Sequence, residues 1–387
     1  MDPATDRYDG TTRLDLETLA ILSLADQVKG IDHHTDPASN PIRPLCLTQG
    51  KRMAEDLRAL LAYETVIPRH VLATYIRTIL GLHLALYMMR LFRLLPSWVD
   101  RATGSEQRPS CSLEDGTTTN MQHCPHCTRM VVDLTEDADP PPAVLARSSA
   151  ATYLESVSPY VRSVILLNRV KDFANAQAAR GHKPARTVDD LLALLANPPA
   201  NMDGFFEARI GDLAAKKPDE ELDPLEQTIL ALQGRTPLEL YVELICLQRL
   251  KNERKHLIEL VDALGQKNQP GGFLKQSAGA RSPRRFVLGG KLLETLVQIA
   301  VVGRDSQGRL SSRPILIDEF SSWLAERYGF VVFAPASEQV PPEEQTAWRM
   351  NERALRERLH QIGFYTDLSD AYNSQTLRPR YKVQDHD

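Results

Sequence analysis

Cysteine is scarce in this chain. There are five in 387 residues, an odd number, and no apolar leader precedes them, since Met1–Thr12 is polar and acidic. This combination excludes a disulfide framework and points to a reducing, cytoplasmic setting. An excess of positive charge is also missing: 46 Lys and Arg stand against 50 Asp and Glu, for a net charge of −4 and an isoelectric point of about 6.2. Such a protein does not coat nucleic acid by bulk charge, so any such binding needs a local patch. Long uncharged apolar runs are lacking too. The most apolar stretch, Val71–Val99, is interrupted by Arg77, His83, Arg90, Arg93 and Pro96, which favours a buried helix over a membrane span. The GxxxxGK[ST], HExxH and GxSxG patterns are absent, and no catalytic constellation is read. No fixed-period repeat or long heptad run is present.

The sequence does contain a great deal of helical text. Apolar residues recur at three- and four-residue steps through Leu14–Lys29, Thr48–Tyr63, Pro68–Leu95, Val161–Ala178, Val188–Leu195, Phe205–Ala215 and Leu238–Leu264. In Thr48–Tyr63 the apolar side is Met53, Leu57, Leu60 and Leu61. Thr187 reads as an N-cap and Pro237 as a first-turn proline. The expected fold class is mainly α: a multi-helical N-terminal body with a CxxC-bearing insertion, followed by a C-terminal winged helix. The expected divisions are a helical region at 1–100, a Cys/His insertion at 101–142, a second helical region at 143–265, a linker at 266–282 and a C-terminal domain at 283–387.

The insertion carries Cys124-Pro125-His126-Cys127, with Cys111 upstream and His123 alongside. Two cysteines separated by two residues can aim both sulfurs at one ion, and zinc takes four nitrogen or sulfur ligands. The expected ligands of a structural Zn2+ are Cys111, His123, Cys124 and Cys127. The fourth place is also open to His126, Cys46 or His33. The alternative is a reduced loop without metal. Cys246, within an apolar helical run, reads as a core residue.

The C-terminal region has three helix-like segments, Gly290–Val302, Ile315–Tyr328 and Asn351–Ile362, the last capped by Asn351 and stopped by Gly363. Extended text follows around a turn at Asn373-Ser374. Helix, helix, helix, hairpin resembles a winged helix. That resemblance implies a third helix in the major groove and a wing on the backbone. Cations fall where such a reading wants them: Arg353, Arg356 and His360 on the third helix, and Arg378, Arg380 and Lys382 in the tail. Between Lys267 and Arg313 nine bases, Arg284 and Arg285 among them, meet two acids. The layout ending in Leu368-Ser369-Asp370-Ala371 and Leu377-Arg378-Pro379-Arg380-Tyr381 is similar to accessory proteins of bacterial anti-phage defence islands. The resemblance implies a non-catalytic subunit that binds double-stranded DNA alongside other protein subunits. The competing expectations are a zinc-stabilised protein–protein scaffold and an enzyme with a dispersed site.

Overall fold

The computed structural model describes residues 45–104, 111, 113, 120, 123, 124, 126, 127, 129–135, 139–215, 224–277, 279, 282–304, 309–334, 341–365 and 376–383. The chain divides into two units, 1–45 and 46–387, and the second carries every described helix and strand. The helix expected at Leu14–Lys29 and the turn expected at Asn373-Ser374 lie outside the described residues.

The architecture is mainly α. Helix α1 spans Leu47–Leu61 and α2 spans Arg69–Thr103, beginning just after the extended Pro68. Among the described residues α2 alone is long and apolar enough to cross a membrane by length and composition. Here it packs against α1 and against four helices later in the chain. Those helices are α4 (Val157–Ala178), α5 (Val188–Ala196), α8 (Pro237–Leu264) and α9 (Gly290–Ala300). Both α5 and α8 start at full capping boxes: Thr187 accepts from the Asp190 amide, and Thr236 accepts from the Glu239 amide. Each box satisfies amides that the first helical turn would otherwise leave orphaned. Helix α3 (Pro141–Glu155), α6 (Met202–Ala215) and α7 (Pro224–Leu230) complete this part.

The strands are short. β1 (Met130–Val131) runs parallel to β7 (Phe330–Val331), with Met130 opposite Phe330. β2 (Leu274–Gln276) and β3 (Arg284–Phe286) pair antiparallel, as do β4 (Val302–Arg304) and β5 (Leu310–Ser312). β6 (Ile315–Leu316) pairs antiparallel with β8 (Thr376–Leu377), and the Arg378 amide donates to Phe364 O. Between them lie α10 (Ile317–Tyr328) and α11 (Pro342–Gln361).

One apolar core runs through all of this. It takes Leu60 and Tyr63 near the start, Phe92 from α2, Val132 after β1, Tyr153 from α3, Val261 from α8, and Leu296, Phe320, Leu355 and Leu377 from the C-terminal part. The boundaries expected near 100, 142, 265 and 282 therefore fall inside a continuous body. The stretch expected to be a linker is a bonded corner. Asn268 N–H donates to Leu274 O, Phe273 N–H to Gly265 O, and Gly289 N–H to Gly272 O. A β-carbon on Gly272 would stand 2.0 Å from Gln266 O, and one on Gly289 would stand 2.3 Å from Pro270 O. Only glycine lets these backbones approach so closely.

Candidate nucleic-acid face and cysteine loop

Helix α11 begins at Pro342, a first-turn proline, and not at Asn351 as the capping preference of asparagine suggested. Asn351 sits mid-helix with its side chain 1% exposed. Its Nδ2 donates to Val132 O and Val332 O, and its Oδ1 accepts from the Leu134 amide. The buried face of α11, with Trp348, Ala354, Leu355 and Leu359, leaves Arg353, Glu357 and His360 exposed. Arg353 Nε donates to Glu357 at 2.8 Å, and Arg356 is paired with Glu352. The helix ends at Gly363, whose φ of 76° is the left-handed conformation glycine favours.

Past β8 the exposed positions alternate. Arg378, Arg380 and Lys382 are exposed, whereas Leu377 and Val383 are buried. Arg380 is tied down: Nη1 donates to Glu294 at 2.6 Å, Nη2 to Ile362 O at the end of α11, and its guanidinium lies 4.8 Å from the Phe364 ring centre. The two expected cations on β3 are placed differently. Arg284 makes a two-pronged bond to Asp262 on α8, at 2.8 and 2.7 Å. Arg285 is 4% exposed and lies 3.3 Å from the buried Asp133. These two arginines hold β3 to α8 and to Asp133.

The cysteine loop is organised around a cation. Cys111, Cys124 and Cys127 gather with Leu113 in a small apolar cluster. Burial pushes the Cys124 thiol up, while the amides of His126 and Cys127 bond its sulfur. The guanidinium of Arg90, 4% exposed, reaches Cys46 Sγ at 3.1 Å with Nη1 and Cys127 Sγ at 3.8 Å with Nη2. Arg93 Nη1 adds a bond to Cys127 O at 3.3 Å. Burial and the charges of Arg93, Arg101 and Arg90 hold the His126 imidazole below its usual range. His123 is exposed and its amide bonds Asn120 O. Among the described residues no group of three or more His, Cys, Asp or Glu is arranged to hold a metal ion. The Arg90 guanidinium beside Cys127 and Cys46 also opposes a dication there. The residues as placed do not form the ligand set expected from Cys111, His123, Cys124 and Cys127.

Sequence reasoning missed a buried polar network beside this loop. Asp56 is fully buried. It accepts from Tyr328 OH at 2.7 Å, lies 2.7 Å from His83 Nε2, and takes Arg327 Nε at 2.8 Å. Gln49 Nε2 lies 2.6 Å from His83 Nδ1, which fixes the ring from its other side. A narrow cleft lined by Arg90, Cys127, Met130 and Tyr328 joins the network to the cysteine loop. The available signal was His83, a titratable residue within the most apolar helix of the chain.

No curated protein and no solved structure matches this chain. A family model does match, over residues 1–381, and its description is methylation-associated defense system protein MAD7. The match spans both units and every described helix and strand, so the chain belongs to the MAD7 family of methylation-associated defense system proteins.

Proposed function

We propose that this defence-system protein is a non-catalytic subunit that binds double-stranded DNA through its C-terminal face and works beside other proteins of a complex. The observation that carries the reading is the pairing around α11. β6 pairs with β8, Arg378 N–H bonds Phe364 O just past the helix, and the segment after β8 presents Arg378, Arg380 and Lys382 at alternate exposed positions. This is the strand arrangement a wing beside a recognition helix calls for, and it supports that assignment. Arg353 and His360 share the exposed face of α11 and are the side chains offered to base edges. Arg378 and Lys382 are offered to phosphate.

One observation favours the scaffold reading. Arg353 and Arg356 are each already paired with a glutamate one turn away, so the helix face is close to neutral. A fluorescence-anisotropy titration of labelled duplexes at low and moderate salt separates the two. The double variant Arg378→Glu, Lys382→Glu is expected to weaken preferred and random duplex alike by at least tenfold, and to flatten the log–log salt slope by about 2. Arg353→Ala should weaken the preferred duplex selectively, by about 1–3 kcal/mol. Wild-type protein that binds no duplex at low salt would leave the scaffold reading in its place.

A further inference from the structure

Far along the chain from the C-terminal face, a cavity of about 360 Å³ opens between α4, α6 and α8. Its floor and walls are aromatic. Phe206 is fully buried, Phe205 stands perpendicular to it with ring centres 5.1 Å apart, and the Tyr241 ring lies 6.0 Å from that of Phe206. Phe173 packs against both phenylalanines from α4. Its rim is polar, with Arg169, Asp172 and Asn175 from α4 and Arg209 from α6.

The two arginines are not spent in the same way. Arg169 Nη1 holds Asp172 at 2.9 Å, but its Nε is buried and has no hydrogen-bond partner. Arg209 is half exposed, stands only 3.8 Å from Asp212, and lies 5.2 Å over the Phe205 ring. It can turn toward a ligand without breaking a close ion pair. The lining therefore combines flat ring surfaces with an excess of one positive charge, two arginines standing against Asp172. An aliphatic ligand would leave the arginine rim without an anion, and a cationic one would be repelled. A flat ring joined to an anionic group meets both demands. The volume lies at the small end of the range for ligand pockets and suits one nucleotide unit.

We infer that this cavity binds a nucleotide, with its base against Phe205 and Tyr241 and its phosphate on the rim guanidiniums of Arg169 and Arg209. The nucleotide can be free or an unstacked residue of a single strand, since both offer the same ring and phosphate. This site is independent of the C-terminal DNA face, because the two share no residue.

The test uses the full chain in isothermal titration calorimetry. The probes are the four nucleoside 5′-monophosphates, adenosine, inorganic phosphate and a single-stranded tetranucleotide. At least one monophosphate is expected to bind, with adenosine and phosphate each at least tenfold weaker than the best nucleotide. Arg209→Glu and Arg169→Gln should each lower affinity at least tenfold. Arg209 is half exposed, so Arg209→Glu leaves folding intact and the thermal transition should be unchanged. Tighter binding of the tetranucleotide than of any monophosphate, lost in the same variants, identifies a strand as the source. No binding of any nucleotide probe at millimolar concentration overturns the inference, as does affinity unaltered in Arg209→Glu.

Discussion

Asp56 is buried completely and still carries its charge in the fold. Burial pushes its pKa up, but the hydrogen bond with His83 and the charge of Arg327 pull harder and hold it below its ordinary 3.8. Two other carboxylates behave alike: burial raises them and their partners win. Lys291 and Tyr75 hold Glu294 down, and Arg284 and Lys267 hold Asp262 down. For a group whose folded pKa is depressed, the stabilisation is fully present above the unfolded pKa and is lost as pH falls through the folded one. These three carboxylates should therefore leave stability flat above the ordinary carboxylate range and take it away on acidification below it. Asp133 has the opposite sign, because burial raises it beyond what Thr135 and Arg285 restore. The expected outcome for Asp56→Asn is a loss of about 3 kcal/mol at neutral pH, since Arg327 would keep only the exposed Glu55 as a counter-ion. Urea midpoints at pH 7 and well below pH 3.8 check this: the gap between wild type and variant should narrow at the lower pH. A gap of equal size at both would show that the Asp56 charge does not contribute in this way.

Elements whose limits rest on their own residues were legible. The cap at Thr187, the first-turn proline at Pro237, the stop at Gly363, and the bodies of α9 and α10 all arise from chemistry within a few positions. Elements whose role depends on a distant partner were not. Helix α1 reads as amphipathic with Met53, Leu57, Leu60 and Leu61 inward, yet it buries Thr48, Gln49, Arg52, Asp56 and Leu60. Leu61 is 50% exposed. The polar stripe turns inward because His83, Arg327 and Tyr328 wait there, and those residues are remote in sequence. The start of α11 was readable from Pro341 and Pro342, but the stronger pull of Asn351 as a cap hid it. Asn351 instead clamps α11 to the segments following β1 and β7 through three backbone bonds. Replacing it with alanine leaves buried backbone groups unpaired, each worth about 1–3 kcal/mol. Asn351→Ala should cost about 3 kcal/mol in a denaturant titration. It should also speed hydrogen exchange at the Leu134 amide, and unaltered exchange there would contradict the clamp.

At the scale of the whole molecule, the basic stretch from Lys267 to Arg313 shows what a window count leaves out. Nine bases against two acids read as a strongly positive patch, but the fold brings acids to it from outside the window. Asp262 takes both Lys267 and Arg284, Asp133 takes Arg285, and Glu319 takes Arg313. The same long-range closure governs the C-terminal part. Tyr63 OH donates to Gln298 O at 2.9 Å, Tyr75 OH donates to Glu294 at 2.6 Å, and Arg327 is locked to Asp56. β7 has β1 as its partner, β3 has β2, and α11 packs on α3. Each of these partners precedes residue 280. A fragment of residues 280–387 would thus expose the faces of α9, α10 and α11 that these partners cover, and would leave its buried acceptors and strand edges unmet. The expected outcome is no cooperative thermal transition for that fragment by circular dichroism, with strong binding of a hydrophobic dye. Residues 46–387 should melt in one sigmoidal step under the same conditions. A sigmoidal melt of the fragment alone would show that the C-terminal helices close a core of their own and that the long-range bonds only dock it.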